Sequence, residues 1–481
     1  MDRSIRVRLS GMMFLHYLVM GAWVVPLAPY LMALPTDGGL LFTATQTSQI
    51  YSTLAIAGIV APLFIGLLAD RLFAAQRIMV VMNFIGCGLM ATIAWWCASQ
   101  QAELAELYHQ KLQLAGINGD TLVSPAAGIA SQLQRLHQDP ELRARVDAIF
   151  RPLFGMLFAY AMINLTTTTL TNVVSLRNLE RPREMFGKVR LVGTFGWVVS
   201  GLVVAMLLNP ISNSPMLFAC VLSIASGLYC LLLPHTPPAG KGTSIGEMLG
   251  LPALGMLRDR SFAVFLICAC TLSMVQSFWV IYTNKFLTDI QAPKPTAVQT
   301  LAQWSEMLCM ALMPLAFIRL GVKWMMVLGL LGWLLRNGLF ATGSMPLSVV
   351  IGLPLHGLSY CFFYITAQLY IDRMAPLHLR ASAQAIFVFV SSGVGTLVGN
   401  VIASSIVQAN TVGSVVNWTN VWLVPFLASA VILTVFLAFF RGEVPVSDSG
   451  HPHPPQPSDG PNSATKSSPG IEVTLSRVAR R

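Results

Sequence analysis

The sequence contains few charged residues. Asp, Glu, Lys and Arg make up only 10% of its 481 residues, whereas hydrophobic residues make up 55%. Soluble domains carry about 25% charged residues. The mean hydropathy of +0.66 agrees with this shortage of charge. A soluble globular protein is therefore excluded as the main architecture.

Motifs of several enzyme classes are also absent from the sequence. No glycine-rich loop ending in Lys is present to hold a phosphate, which argues against ATP-driven chemistry. No Ser–His–Asp pattern appears, and the eight cysteines lie in apolar segments without metal-ligand spacing. We therefore expect no enzymatic activity, no bound metal and no cofactor.

Apolar segments of about 20 residues recur along the chain. Each is long enough to cross a hydrocarbon layer of roughly 30 Å as a helix. The pattern predicts an all-α polytopic membrane protein with twelve transmembrane helices in two six-helix halves. The first segment is too long for a signal peptide, so we expect it to be retained. The predicted spans lie near residues 9–34, 46–70, 77–98, 150–177, 186–208, 215–234, 260–288, 296–318, 322–343, 347–372, 380–408 and 417–440.

The net charge of +10 follows the loops rather than one surface. Basic residues occur in alternate loops, which is the positive-inside pattern. It predicts a multi-pass protein in the lipid bilayer with both termini in the cytoplasm, and it argues against nucleic acid as a partner. These loops contain Arg3, Arg6, Arg8, Arg71, Arg77, Arg177, Arg181, Arg183, Lys188, Arg258, Arg260, Arg319, Lys323, Arg373, Arg380 and Arg441.

The chain divides into regions by composition. We predict an N-terminal six-helix bundle over 1–234 that contains an extracytoplasmic helical insertion over 99–149. In the insertion we expect helices over 99–113 and 128–137, with a turn at "GINGD" between them. A Pro- and Gly-containing cytoplasmic linker covers 235–259, and a second six-helix bundle covers 260–441. The remainder, 442–481, is rich in Pro, Ser and His and is predicted to be a disordered cytoplasmic tail. Two basic turns, "LLADRLFAAQRIMVV" and "AFIRLGVKWMMVL", suggest duplicated halves with a ligand site near the membrane midplane.

Ionisable and polar side chains inside the spans are candidates for function, because such groups are costly in hydrocarbon. Arg190, Thr194 and Trp197 share one helix face and suit a planar, hydroxylated ligand. Alternatively, Arg190 extends to the cytoplasmic interface. His16 either lines the cavity or forms a hydrogen bond in the core.

Gln303 and Glu306 lie one turn apart on one face of span eight. A carboxylate in the membrane can take up and release a proton, and the alternative is a static pair with a buried cation. In span ten, His356 and Tyr360 share a face that includes other aromatics, although such stripes more often belong to the core. We expect Arg336 to make a structural bond between helices.

An acidic residue, Asp70, and its basic neighbour, Arg71, occur at the cytoplasmic end of span two. This position is more suited to locking or releasing the two halves than to binding a substrate. We therefore predict a gating role for both residues.

Several motifs resemble those of one family. They include "VRLVGTFGW", "QWSEMLCMALMPLAFIRLGVKWMMVLGLLGWLLRNGLFATG" and "HGLSYCFFYITAQLYIDRMAPLHLRASAQAIF". With these segments the chain resembles the bacterial nucleoside permeases, which are nucleoside:proton symporters of the major facilitator superfamily. The resemblance covers nearly the whole chain except the insertion and the tail.

The resemblance implies roles for individual residues. Glu306 corresponds to a residue involved in proton coupling, and His356 and Tyr360 stand where the family has Tyr and Phe. Cys361 replaces a family aspartate, so coupling would rest on Glu306. In span seven the family's Gln-x-x-Asn pair falls on Ser277 and Val280, and we expect Gln276, one position away, to take the place of the glutamine. The substrate-binding residues implied are Arg190, Thr194, Trp197, Gln276, Gln303, Glu306, His356 and Tyr360.

The function expected from this resemblance is proton-coupled import of nucleosides by alternating access. The partners are a nucleoside, protons and the bilayer of the bacterial inner membrane, and the protein is expected to be a monomer. The alternatives are a major facilitator carrier of another small polar solute, such as a sugar or a nucleobase, and an uncoupled nucleoside facilitator.

Overall fold

The computed structural model describes residues 3–68, 73–117, 127–238 and 245–441. Nearly all of these residues are helical, as the sequence predicts. The helices are α1 Arg3–Met32, α2 Ala44–Leu68, α3 Ala75–Leu114, α4 Ala127–Leu136, α5 Pro140–Asn178, α6 Pro182–Leu207, α7 Ser214–Cys230, α8 Ile245–Met248, α9 Arg260–Asp289, α10 Pro295–Ala341, α11 Met345–Leu347, α12 Leu355–Tyr360, α13 Thr366–Met374, α14 Arg380–Val388, α15 Thr396–Ala409 and α16 Trp418–Phe439. A two-residue antiparallel hairpin pairs β1 Thr411–Val412 with β2 Val415–Val416.

These helices account for the twelve predicted spans within the described residues. Eight helices are long and apolar enough to cross a bilayer, and a pair bent by 50° within Met345–Met374 makes a ninth. One of the eight, α10, contains two spans, and the apolar helices α2 and α7 supply the last two. Spans one to seven are α1, α2, α3, α5, α6, α7 and α9; spans eight and nine are the two parts of α10; span ten is α11–α13, span eleven α14–α15 and span twelve α16.

The reversal between spans eight and nine depends on a glycine. Gly321 has φ +67° and ψ 177°, a conformation inside α10 that is not helical. Only glycine adopts a positive φ of this kind without a steric penalty. The chain therefore turns back at Gly321 without an intervening loop.

Spans ten and eleven deviate from a regular α-helix. Three π-helical segments occur in them, at Ser348–Gly352, Cys361–Ile365 and Phe389–Gly395. Pro354 lies at the bend of span ten, where a residue without a backbone N–H interrupts helical hydrogen bonding. π-Helical turns often occur at functional positions, and Cys361–Ile365 directly follows Tyr360.

The insertion between spans three and four is helical. Span three continues without a break to Leu114, so the predicted helix over 99–113 is its extension, and the predicted helix at 128–137 corresponds to α4. A turn with left-handed Gly116 ends α3, as "GINGD" predicts, and 118–120 lie outside the described residues. We call the side of the molecule with the insertion the insertion face, and the opposite side, with the basic loops, the terminal face.

The two halves contact each other on the insertion-face side of the spans. The Ser48 hydroxyl donates to the carbonyl oxygen of Asn400 at 2.6 Å, and the Asn400 amide donates to the Ser52 hydroxyl at 3.0 Å. The Tyr282 hydroxyl donates to the carbonyl oxygen of Ala44 at 3.1 Å. These bonds join spans two, seven and eleven, and so the first half to the second.

The predicted linker between the halves contains ordered structure. The short helix α8 and a 3-10 segment at Leu251–Arg258 both fall within 235–259. The predicted tail over 442–481 lies outside the described residues. The exact division into 1–234 and 260–441 stays a prediction.

Candidate functional site

The guanidinium of Arg190 in span five lies over an aromatic ring of span one. Its Cζ atom is 4.1 Å from the centroid of the Tyr17 ring. Its Nη1 atom is buried and has no hydrogen-bond partner among the described residues. A cation over an aromatic face is stabilised by the ring quadrupole, which leaves the N–H groups free to bind something else. Arg190 is half-buried between spans one and five.

Two glycines of the "VGTFGW" segment allow this approach. A Cβ on Gly193 would lie 2.6 Å from Cδ2 of Tyr17, and a Cβ on Gly196 would lie 2.3 Å from the carbonyl oxygen of Phe14. Spans one and five are therefore in backbone contact one turn beyond Arg190. The motif has a packing role that its resemblance alone does not reveal.

Glu306 of span eight faces the same region from the second half. Its carboxylate interacts electrostatically with Arg190, and it also interacts with Tyr360 of span ten. Among the described residues no ion pair within 4.0 Å includes Glu306 or Arg190. The carboxylate and the guanidinium thus influence each other without being locked together.

Span ten lies directly against span eight at this carboxylate. The backbone N–H of Gly357 donates to the Ser305 hydroxyl at 3.0 Å, and a Cβ on Gly357 would lie 2.5 Å from the backbone nitrogen of Glu306. The Cys361 thiol donates to the carbonyl oxygen of Glu306 at 3.5 Å. Cys361 is therefore beside Glu306 but contributes no charge, as the sequence indicates.

An aromatic stack extends along span ten. The His356 ring is 4.4 Å from the Trp279 ring at an interplanar angle of 11°, and 5.7 Å from the Tyr360 ring at 20°. Tyr360 in turn is 5.4 Å from Tyr364, whose hydroxyl is 3.0 Å from the Ser273 hydroxyl. Spans seven and ten therefore form this wall, and it leads from span seven to Glu306.

Arg336 makes the bond between helices that its sequence position predicts. It is fully buried, and Nη1 donates to Nδ1 of His356 at 2.8 Å. Its Cζ atom lies 4.3 Å from the Trp279 ring centroid and 4.0 Å from that of Trp333. The cation is thus held between two indoles.

The other predicted site residues are half-buried on the same spans. Among the described residues, the side chains of Thr194, Gln276 and Gln303 make no hydrogen bond, so these polar groups are free. Trp197 packs against apolar core residues. Among the described residues no ring contact joins Trp197 to His356 or Tyr360.

Of the remaining residues that the sequence singles out, the structure describes His16 but not Asp70 or Arg71. His16 is buried and its Nε2 is 2.8 Å from the Thr168 hydroxyl, so it makes a hydrogen bond in the core. The predicted gating residues Asp70 and Arg71 lie outside the described residues. Within the described part of the chain, no group of three or more His, Cys, Asp or Glu side chains could hold a metal.

Sequence reasoning missed Tyr17 and Trp279. Both are uncharged aromatics in apolar segments, and their significance comes from contacts with Arg190 and His356, which are far away in the chain. Nothing in the local pattern distinguishes them from core residues.

A separate cavity of about 880 Å³ lies on the insertion face. It is lined by both halves and by the insertion, with Asp37, His137, Arg143 and Lys285 among its charged or titratable groups. Arg190 and Glu306 are not part of its wall.

Twelve spans in two halves, with buried polar groups supplied by both, define a membrane transporter rather than an enzyme. The family model described as nucleoside H+ symporter matches residues 3–115 and 142–444. The chain belongs to this family, which makes it a proton-coupled nucleoside transporter, as predicted. The match omits 116–141, the part of the insertion that contains α4.

Curated relatives support the same assignment. The chain is 31% identical to the putative nucleoside transporter YegT of Escherichia coli, with 90% of this chain and 93% of the relative covered. It is 26% identical to the xanthosine permease of the same organism, with 91% and 96% covered. It is 23% identical to the nucleoside permease NupG, also with 91% and 96% covered.

Solved structures confirm the predicted fold. The crystal structure of the nucleoside transporter NupG superposes with a TM-score of 0.71 at 22% identity, covering 92% of this chain and all of that one. A POT family transporter superposes with a TM-score of 0.61 at 12% identity, covering 89% and 95%. At these identities the similarity concerns the fold alone.

Proposed function

We propose that the chain binds its nucleoside between the two halves, at Arg190, Glu306 and Tyr360, and imports it with a proton by alternating access. The supporting observation is the relationship of Arg190 and Glu306. They come from opposite halves, interact electrostatically and form no ion pair within 4.0 Å among the described residues. Such a pair can respond to a proton and to a ligand.

The coupling follows from charge. When Glu306 is ionised, it attracts Arg190 across the interface between the halves, and protonation removes that attraction. Arg190 then has its guanidinium free for the oxygen atoms of a ligand. Because Cys361 contributes no charge, Glu306 carries the proton in this proposal.

The free polar groups fit a nucleoside. Thr194, Gln276 and Gln303 can donate to and accept from ribose hydroxyls and the edge of a base. The ring of Tyr360 can stack against the base, because flat π-systems pack face to face with an offset, and His356, which is stacked on Trp279, can offer a ring nitrogen to the base. Trp197, in the first half, would pack against the nucleoside from the side opposite Tyr360.

The arrangement of the halves suggests the transport direction. The basic loops predict that the terminal face is cytoplasmic, which places the insertion face outside the inner membrane. The bonds of Asn400 to Ser48 and Ser52 then close the outer side, and they must break before a nucleoside can enter from outside. A single chain supplies both halves of the site, so we propose that the monomer is active, which the mass of the purified protein in detergent would test.

Uptake of labelled uridine and adenosine tests the proposal in cells that lack their own nucleoside carriers. We expect accumulation that collapses when a protonophore is added. Equilibration that ignores the protonophore would contradict coupling. Competition by unlabelled sugars or nucleobases, with none by nucleosides, would move the substrate to those classes.

Variants of Arg190 test the site itself. Arg190→Gln should lower uptake by at least tenfold, because hydrogen bonds to charged groups contribute about 1.5–3 kcal/mol. Arg151→Gln removes an exposed arginine of span four and is the matched control. Equal uptake by the two variants would remove Arg190 from the proposed site.

A further inference from the structure

We infer that the site prefers nucleosides whose base has a carbonyl rather than an amino group at its exocyclic position, and that Arg336 sets this preference through His356. The inference rests on the proposed function. It concerns two residues that the proton-coupling step does not use, and Arg336 acts as a positioning residue.

The bond between Arg336 and His356 fixes the hydrogen positions on the imidazole. A guanidinium only donates hydrogen bonds. Nδ1 of His356, which is 2.8 Å from Nη1 of Arg336, must therefore be the acceptor and lack a hydrogen. The ring is then neutral and has its hydrogen on Nε2. His356 consequently offers a single donor and no second acceptor.

An imidazolium at this position is unfavourable. It would place an N–H group on Nδ1 against the N–H group of Arg336, and it would put two positive charges at hydrogen-bond distance. No acidic group compensates Arg336, since among the described residues no ion pair includes it. Arg336 therefore keeps His356 as a neutral donor.

His356 is placed next to the ligand groups by its neighbours on both sides. Its ring is fixed between Trp279 at 4.4 Å and Tyr360 at 5.7 Å. The next residue, Gly357, touches the backbone of Ser305 and Glu306. The imidazole thus occupies the wall that leads to the Glu306 carboxylate.

The charged groups around the site favour a ligand that accepts hydrogen bonds. Arg190 has an unpartnered Nη1 atom, His356 has its Nε2 hydrogen, and Arg336 adds a buried positive charge. Glu306 is the acidic residue of the set. Glutamine amides can either donate or accept, so Gln276 and Gln303 do not discriminate. The positive field attracts a carbonyl oxygen and repels the hydrogens of an amino group.

Two substrate pairs isolate this difference. Inosine and adenosine share the purine skeleton and the ribose but carry a carbonyl or an amino group on the six-membered ring, and uridine and cytidine differ in the same way. An unmade hydrogen bond to a buried donor is costly, so we expect kcat/KM to favour inosine and uridine by roughly tenfold.

Variants of His356 test the source of the preference. His356→Phe keeps a ring that can stack but has no donor, and it should bring both ratios to about one while inosine and adenosine are still transported. His356→Gln keeps a donor and should preserve part of each ratio. His109→Phe, at an exposed histidine of the insertion, is the matched control and should leave both ratios unchanged.

Variants of Arg336 test the positioning role. Arg336→Met removes the donor to Nδ1, so the imidazole hydrogen is no longer fixed and both ratios should fall. Arg336→Lys keeps a charge and a donor, and it should retain the ratios. It provides a second test of Arg336 if the methionine variant fails to reach the membrane. Transport rates are normalised to the amount of protein in the membrane. A purely structural loss lowers the rates of both nucleosides of a pair equally and leaves their ratio unchanged.

The outcomes separate the two proposals. Equal transport of both members of each pair by the unmodified chain would overturn the preference and leave nucleoside transport standing. Unchanged ratios in His356→Phe would overturn the role of His356. Unchanged ratios in Arg336→Met, or ratios lost in Arg336→Lys, would overturn that of Arg336. Failure to transport any of the four nucleosides, with protein present in the membrane, would overturn the proposed function.

Discussion

Arg190 lies with its guanidinium carbon 4.1 Å from the centre of the Tyr17 ring. An aromatic face, rather than an acidic side chain, thus stabilises the half-buried cation of span five. This arrangement has a functional consequence, because an acidic partner at that position would neutralise Arg190 permanently. With Tyr17 as its neighbour, Arg190 keeps its charge available to Glu306 and to a ligand.

Substitution of Tyr17 should therefore weaken ligand binding. Tyr17→Leu removes the aromatic face, and a cation–π contact contributes about 1 kcal/mol, so we expect KM to rise roughly fivefold. Tyr17→Phe keeps the ring and should stay within about twofold of the unmodified chain. Uptake kinetics measure both. An equal effect of the two variants would show that the hydroxyl, not the ring, matters.

The glycines of span five provide a second test. Gly193→Ala introduces a Cβ 2.6 Å from the Tyr17 ring and should displace span five from span one at Arg190, with loss of most uptake. Gly187→Ala, on the same helix, meets no atom within 4 Å. Alanine there should be neutral or stabilising by up to about 1 kcal/mol. Similar uptake by the two variants would contradict the packing role of Gly193.

The insertion contacts the second half at the β1–β2 hairpin. Gly413 has φ +64°, and a Cβ on it would lie 2.6 Å from the carbonyl oxygen of Ala130 in α4. Gly116 has a similar φ of +68° but open space around it. Gly413→Ala should therefore lower the melting temperature more than Gly116→Ala, since both add backbone strain of about 1–2 kcal/mol and only the first adds a clash. Equal melting temperatures would show that α4 and the hairpin move apart freely.

His137, at the end of α4, should make the insertion sensitive to pH. Burial, and then the charge of Arg143, lower the pKa of His137 to about 4, while a hydrogen bond with the backbone of Gly413 opposes this. Its Nε2 is 3.0 Å from the Tyr108 hydroxyl. Between the unfolded pKa of about 6.5 and the folded pKa, the unfolded chain binds more protons, so stability should fall as pH falls from 6.5 to 4.

Thermal unfolding between pH 7.5 and pH 4.5 checks this dependence. His137→Gln should show a smaller fall in melting temperature over that interval than the unmodified chain. His109→Gln, at an exposed histidine, should show the full fall. If the His137 variant matches the unmodified chain at every pH, burial of this imidazole does not control the stability of the insertion.

Hydropathy predicted the spans well because each must be apolar over a fixed length. Predicted span seven, 260–288, and observed Arg260–Asp289 differ by one residue at one end. Span three was predicted to end at 98, but its helix continues to Leu114. Hydropathy detects where the chain leaves the hydrocarbon and not where the helix ends.

The site was only partly predictable for a different physical reason. Arg190, Glu306 and His356 stand out because ionisable groups are rare in apolar segments. Their partners Tyr17 and Trp279 are ordinary residues for a span, and only the packing of distant helices brings them into contact. The free state of Gln303 and Gln276 likewise depends on which neighbours lack suitable hydrogen-bonding atoms.

The central claim is that Glu306 carries the transported proton, and Glu306→Gln tests it most directly. The amide keeps the shape of the side chain but is not ionisable near neutral pH, so it cannot load and release a proton. We predict that the variant loses concentrative, protonophore-sensitive uridine accumulation and still exchanges labelled for unlabelled uridine across the membrane. Glu141→Gln, at an exposed residue of the insertion, should accumulate uridine normally. Accumulation by Glu306→Gln to the level of the unmodified chain, abolished by the protonophore, would contradict the claim.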